Sequence, residues 1–332
     1  MTADLKAPLD GWHLIHGDSA AGCVIQSISI DRDKLIVNRD PIDCGPAPAT
    51  LDWREWARAR GGFLTSLSET YPPHFLKFAE RDFVAALNHA DESPPIYAWA
   101  SCGLADQLLL ARVLSLRTAA GTSPAHFRVI QFVAGADGVI ASLGSLSPAR
   151  IRAWMPTPVN PSREVVSHYL RAWRAYTSRS AEALVELLSA ESPSQVLHQA
   201  MAALVQRYPD VRSGLSGTEW ALLRAAESEG PRATRIIGQV AAFDAGLDQV
   251  GDLVLFAQLK ALGSTALREP LLHILGSERG MRDCLVELTR FGRRVLEGRA
   301  NAAEVNGCHG WVGGVNLAEF PAYRSGNALI LP

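Results

Sequence analysis

His13-Leu-Ile-His-Gly-Asp-Ser-Ala-Ala-Gly22 is a short apolar run that stops at a glycine and continues as an acid, a hydroxyl and a set of small residues. That order predicts a strand turning sharply into a helix. The first N–H groups of such a helix have no partner within it and face whatever lies beyond the strand ends, which suits an anion. Gly17, Asp18, Ser19 and Gly22 are the expected cradle. Asp18 is an objection to this reading, because its charge repels an anion unless it turns away, binds a cation or contacts a hydroxyl.

Outward from this corner, four nearly uninterrupted apolar runs read as strands of a buried parallel sheet: His13 to His16, Lys34 to Asn38, Ile96 to Ala100 and Arg128 to Val133. Helical stretches lie between them, at Ala20 to Ser29, from Asp52 to Asn88 as two or three helices, and at Leu104 to Thr118. Alternation of this kind predicts an α/β domain with an open, mostly parallel sheet and right-handed crossovers over residues 1–155. Ligands of such sheets sit beyond the carboxyl ends of the strands. The loops expected there start at His16-Gly17-Asp18, at Arg39-Asp40-Pro41-Ile42-Asp43, at Ser101-Cys102-Gly103 and at Gly135-Ala136-Asp137-Gly138. Asp43 and Gln107 are the expected polar ligand contacts, and His16 is the residue placed to move a proton near neutral pH.

Pro156-Thr-Pro-Val-Asn-Pro161 reads as a linker, since each proline discourages helix at the residue before it. Residues 162–332 follow as a mainly helical domain. From Ser162 to Tyr208 the pattern is amphipathic, with Trp173, Leu184, Leu187, Leu188, Leu197 and Leu204 as expected core positions. Ser216-Gly-Thr-Glu219 carries the spacing of a capping box. Helices near Ala233 to Phe243 and Gly251 to Leu262, then short strands near Pro270 to Ile274 and at Leu285 to Thr289, give the order of a winged helix.

These motifs carry a resemblance. The opening His13 to Gly22, Asp43-Cys-Gly-Pro46, Gly144-Ser-Leu-Ser-Pro148, Gly214-Leu-Ser-Gly-Thr-Glu219 and Gly310-Trp-Val-Gly-Gly-Val-Asn-Leu317 are similar, in kind and order, to those of the bacterial domain-of-unknown-function family eighteen-thirty-five. The likeness spans nearly the whole chain and implies no substrate, cofactor or catalytic residue. Where other members continue with a Trp-Arg-Trp-like segment, this chain has Ala322-Tyr-Arg-Ser-Gly326.

Composition narrows the classes. The chain has 332 residues, 48% hydrophobic and 20% charged, with a formal net charge of -2. That is globular composition without a basic field to draw it to nucleic acid or an anionic membrane. Cys23, Cys44, Cys102, Cys284 and Cys308 are odd in number, dispersed and never spaced as a zinc ribbon, which fits a reducing cytoplasm. Met1 to Gly11 has no apolar leader core, and no apolar run reaches the roughly 20 residues of a membrane span.

Four functional readings follow. In the preferred one, the strand ends bind a small anionic or nucleotide-like molecule; no cofactor and no metal is assigned, although Asp40 and Asp43 are residue types that hold a cation or ribose hydroxyls. In the second, Gly17-Asp18-Ser19 resembles the motif of GDS-type esterases, with Ser19 as nucleophile. No Asp-x-x-His follows Ser19, so the base would come from His16, His126 or His309. In the third, the winged helix serves a ligand-sensing DNA-binding regulator, or packs as a module for a protein partner or homodimer. Its reading helix, Asp252 to Leu262, has one Lys, one Gln and one acid, a poor set for DNA, while Arg290, Arg293, Arg294 and Arg299 are placed to touch phosphate. In the fourth, an adaptor pairs its segment Gly310 to Leu317 with a partner strand, unless that segment is the domain's own last strand. The bland alternatives are that Asp18 and Ser19 only cap the first helix, that Tyr97, Trp99, Trp53 and Trp56 only pack, and that Cys102 is inert.

Overall fold

The computed structural model describes residues 9–67, 73–90, 95–122, 126–135, 138–244 and 246–331. Four strands, β1 (Trp12–His16), β2 (Leu35–Asn38), β3 (Ile96–Ala100) and β4 (Phe127–Gln131), form an all-parallel sheet in the order β2-β1-β3-β4. Helix α1 (Asp18–Ser27) links β1 to β2; α2 (Trp53–Leu67) and α3 (Pro73–Ala90) link β2 to β3; α4 (Leu104–Ala119) links β3 to β4. Because β2 and β3 flank β1 on opposite sides, right-handed crossovers require α1 on one face and α2 to α4 on the other. The cores agree. Ile15, Val24, Tyr97, Trp99, Ile130 and Phe132 form one face's core, and Leu14, Ile36, Ile96, Ala98, Ala100 and Leu108 belong to the other.

The expected loop at Gly135 to Gly138 is a two-stranded turn, β5 (Ala134–Gly135) with β6 (Gly138–Val139), whose Ala136 and Asp137 lie outside the described residues. So do residues 68–72, in the middle of the long helical stretch, and residues 1–8. Helix α5 (Pro148–Trp154) starts on Ser147, which accepts from Arg150 N, and packs beside α1.

The proline-rich stretch does not divide the core. Val129 and Val159 exchange two backbone hydrogen bonds, 2.8 and 3.0 Å, so residues 156–161 run along the exposed edge of β4. Beyond them α6 (Arg163–Thr177), α7 (Glu182–Ser189) and α8 (Gln195–Leu204) lie over α4, and Tyr169, Trp173, Tyr176, Leu197 and Leu204 join the core of the sheet's second face. The physical reason is α4: Leu108, Leu109, Leu110, Val113 and Leu114 are all buried, so the helix is apolar on more than the side that meets the sheet, and a second layer must cover it.

The winged-helix order is present. Helices α9 (Gly217–Glu229), α10 (Ala233–Gln239) and α11 (Asp252–Leu262) are followed by the antiparallel pair β7 (Leu272–Leu275) and β8 (Leu285–Leu288), then α12 (Arg290–Leu296) and α13 (Ala302–Asn306). Ser216 and Glu219 form the expected capping box. Arg232, between the first two helices, makes an isolated bridge to Leu285 on the far side of β8. The tail forms two hairpins, β9 (Trp311–Val312) with β10 (Val315–Asn316) and β11 (Tyr323–Ser325) with β12 (Ala328–Ile330). Val312, Val315 and Leu317 are buried in the main core, so the segment Gly310 to Leu317 is part of this chain's own fold. Among the described residues, no helix is long and apolar enough to cross a membrane.

One buried network fixes the loop after β2. Arg60 is fully buried and donates to both Asp40 carboxylate oxygens and to the carbonyls of Pro41 and Pro46; Trp56 Nε1 donates to Asp40 Oδ2 at 2.8 Å. Removing one partner strands a charge away from water, whereas replacing both with apolar groups does not. Asp40→Ala is therefore expected to lower stability by about 3–5 kcal/mol, and Asp40→Leu with Arg60→Met to recover much of that loss, read by urea denaturation. His13 is enclosed between Tyr97 and Trp99. Burial, against a weaker opposing hydrogen bond to Leu9 O, lowers its pKa from 6.5 to about 4. The unfolded chain takes up that proton near pH 6.5 and the folded chain only near 4, so stability falls as pH drops through this window. His13→Gln should flatten the decline of Tm between pH 6.5 and 4.

Candidate functional site

The chain leaves β1 toward β2 and β3 toward β4, in opposite directions, so the crevice between the carboxyl ends of β1 and β3 is the topological switch point of the sheet. Two helix N-termini meet there. That of α4 is partly closed by the protein itself: Gly103 N donates to Ser101 Oγ at 3.2 Å and Leu104 N to Leu247 O at 2.9 Å. That of α1 is open. Gly17, at φ 79° and ψ 148°, makes the turn, and its own N–H is spent on Asn38 O at 2.8 Å. Ala21 N bonds back to Gly17 O, and among the described residues no acceptor is in hydrogen-bond range of the N–H groups of Asp18, Ser19 and Ala20.

The side chains around these amides explain why the corner stays open. Asp18 is exposed and turns outward onto Arg39, which grips both of its oxygens at 2.9 and 3.0 Å. That pair removes the repulsion an unpaired Asp18 would impose. Gly144, in a turn packed against α1, stands over the amides: a Cβ there would lie 3.2 Å from Ser19 Cβ and 3.4 Å from Ala20 N. Its missing side chain leaves Asp18 and Ser19 exposed, whereas Ala20 is buried beside Leu143. Gly22 lies in the body of α1, half-buried and beyond these N–H groups.

At the same edge of the sheet, on the face of Leu14 and Ile36 that α4 covers rather than that of α1, lies a set of acceptors. His16 donates Nε2–H to Asp40 O at 3.1 Å. This leaves Nδ1 facing Asp106 Oδ1 at 3.8 Å. A neutral ring with that tautomer presents a lone pair to the carboxyl group, so a proton on either atom makes the approach favourable. Asp106 Oδ2 accepts from Ser101 N and Oγ, at 2.7 and 2.6 Å. Burial raises the pKa of Asp106 in spite of His16 and the Ser101 donors. Asn38, opposite His16 in the β1–β2 register, is 2% exposed, and its Oδ1 has no partner. The Asn38 oxygen is the signal that sequence reasoning missed, because an orphaned acceptor is visible only once every neighbouring donor is located.

Asp43 and Gln107 lie near His16 and Asp106 but are committed to other partners. Burial would raise the Asp43 pKa, but Arg207 and His16 outweigh it and hold the carboxyl below its ordinary value. Arg207 donates to Asp43 Oδ2 at 2.6 Å, to Asp43 O, and to Asp248 Oδ2 at 2.8 Å. Gln107 is fully buried and its amide is engaged at both ends, donating to Ser101 O and Gln131 Oε1 and accepting from Tyr169 Oη. It is a clamp between β3, β4 and α6. Asp40 is likewise committed to Arg60.

Ser19 is exposed, and among the described residues none of the three histidines considered as its base bonds to it. His16 is turned to Asp40 and Asp106, His309 Nε2 meets Asn306 O at 2.6 Å, and His126 precedes β4 at the opposite end of the sheet. The one Asp-x-x-His spacing in the chain, Asp10 to His13, precedes Ser19; Asp10 pairs with Lys34, and His13 Nδ1 accepts from Trp99. Tyr97, Trp99 and Trp56 are core packing, and Cys102 is 1% exposed with its thiol pKa raised by burial. No group of three or more potential metal ligands occurs among the described residues.

Arg207 ties the strand-end loop to the winged-helix part, so cutting it tests the integrity of this edge. Arg207→Met is expected to cost about 3–5 kcal/mol and to speed limited proteolysis between Asp40 and Thr50, because buried Asp43 and part-buried Asp248 lose their counter-ion together. In comparison with known proteins, no family model and no curated protein matches this chain.

Proposed function

We propose that the protein binds a small anionic, hydroxyl-bearing molecule of nucleotide-like chemistry at the carboxyl ends of β1 and β3. The observation that carries this reading is the presence of two unlike sets of groups at one edge of the sheet. Three free N–H groups of α1 suit a phosphate or carboxylate. At the same edge of the sheet, on the face covered by α4, Asn38 Oδ1, Asp106 Oδ1 and the His16 ring suit hydroxyl donors. His16 and Asp106 are the pair available for proton movement; Ser19 contributes its amide, not a nucleophile.

The winged-helix element is best read as a packing module. α11, the helix that would have to enter a DNA groove, is buried against α2: Val254, Leu255 and Leu259 share a core with Leu64, Leu67 and Phe63. Nucleic acid is therefore not the proposed partner, and a protein partner or second copy would meet a different face. Membership of family eighteen-thirty-five, on the motifs quoted above, and a cytoplasmic site of action, on five free cysteines, belong to the same proposal.

Thermal shift against inorganic phosphate, sugar phosphates and nucleotides tests the binding. A stabilising ligand should bind Asp18→Ala at least as well as the parent, since only a carboxylate is lost. Asp18→Pro, at a helix position that tolerates proline, also deletes one N–H and should weaken it by about tenfold. Gly144→Val should weaken it as well, by covering the amides. No stabilisation by any phosphate compound, or equal affinity in all three variants, overturns the reading.

A further inference from the structure

Behind the loop after β2, whose Cys44 and Gly45 form part of its wall, a cavity of about 540 Å3 opens between the α/β layer and the winged helix. Its walls are α2 (Phe63, Leu67), α11 (Val254, Ala257, Ala261) and the segment from Ala302 to Leu317. This volume falls within the range of small-molecule sites, and junctions between two packed units are where such sites recur. The wall is mainly apolar.

Three observations define what fits. First, the charged groups of the wall are already spent. Arg207 is held by Asp43 and Asp248, and Glu219 accepts from Ser216 N in the capping box. Second, the other reactive groups are engaged too: His309 with Asn306 O, Cys308 with Tyr323 Oη, Cys44 with Asp43. An ionic ligand would be desolvated there with no counter-charge. Third, Gln258, in the wall on α11, has a buried Oε1 without a donor. Of the buried side-chain atoms left unpaired among the described residues, it is the one that belongs to this cavity. A buried amide oxygen without a donor is unfavourable unless something else pairs with it.

We infer that this cavity is a second ligand site, for an uncharged, largely apolar small molecule bearing a hydrogen-bond donor that pairs with Gln258. It is chemically opposite to the strand-end crevice, which offers free N–H groups and ionisable side chains. Neither site's reading depends on the other. Because the wall combines α2 with α11, an occupant strengthens the contact between the sheet's helical cover and the winged helix.

The full-length protein titrated with N-phenyl-1-naphthylamine, an uncharged fluorophore with one N–H, tests this. Saturable fluorescence enhancement with one site per chain is expected. Ala261→Phe and Ala257→Leu fill the cavity and should each weaken binding by about tenfold or more, with the circular dichroism spectrum unchanged. Gln258→Leu makes the wall more apolar, so simple hydrophobic capture predicts tighter binding, whereas pairing with the amide predicts a loss of about threefold or more. Should the filling variants fail to fold, nuclear Overhauser contacts from the naphthyl protons to the Val254 and Leu262 methyl groups replace them. Absence of saturable binding, binding unmoved by both fillings, tighter binding to Gln258→Leu, or absence of those contacts at saturation overturns the inference.

Discussion

Arg207 is the point at which the separate parts of this protein meet. It stands in the short turn after α8, and its guanidinium reaches Asp43 in the loop after β2 and Asp248 in the loop that precedes α11. Three segments far apart in sequence are thereby held by one planar cation. A guanidinium suits this place because its five donors lie in fixed directions, so two carboxylates and a carbonyl can be satisfied at once. The cost of burying the charges is offset only while all three remain together. Arg60 and Asp40 repeat the device one layer deeper, so the loop after β2 is pinned at both of its acids.

That pinning shapes the candidate site. With Asp40 and Asp43 both neutralised by arginines, the carboxylates left to face an incoming molecule are Asp106, buried and shifted toward its protonated form, and Asp18, paired outward with Arg39. The strand ends carry several acids yet present little unpaired negative charge to the amides of α1. The same logic separates the two helix N-termini at the switch point. The one on α4 is met by Leu247 from the winged-helix part, while the one on α1 is left free by a glycine, Gly144, in the turn above it.

Much of the architecture was legible in the residues. Strands β1 and β3 announce themselves because a strand covered on both faces must be apolar throughout, as Ile96 to Ala100 are. The capping box at Ser216 and the order of the winged-helix elements were readable for the same reason, since capping and periodicity act over a few residues. The proline-rich stretch was less informative. Its prolines do exclude helix, but local backbone preference says nothing about whether the flanking cores are separate, and α4 joins them by being apolar on more than one side.

At the site, the turn at Gly17 and the proton-bearing His16 could be named from sequence, because a strand-to-helix turn and a titratable ring are properties of adjacent residues. Gln107 and Asp43 look like ligand contacts in a linear reading; in three dimensions each is consumed by partners more than twenty residues away, at Gln131, Tyr169 and Arg207. The sequence alone determined which elements form and which edge of the sheet collects the polar loops. Only tertiary structure decided which polar groups on that edge remain unpaired, because hydrogen-bond satisfaction is a sum over all neighbours in space and no local pattern of residues contains it.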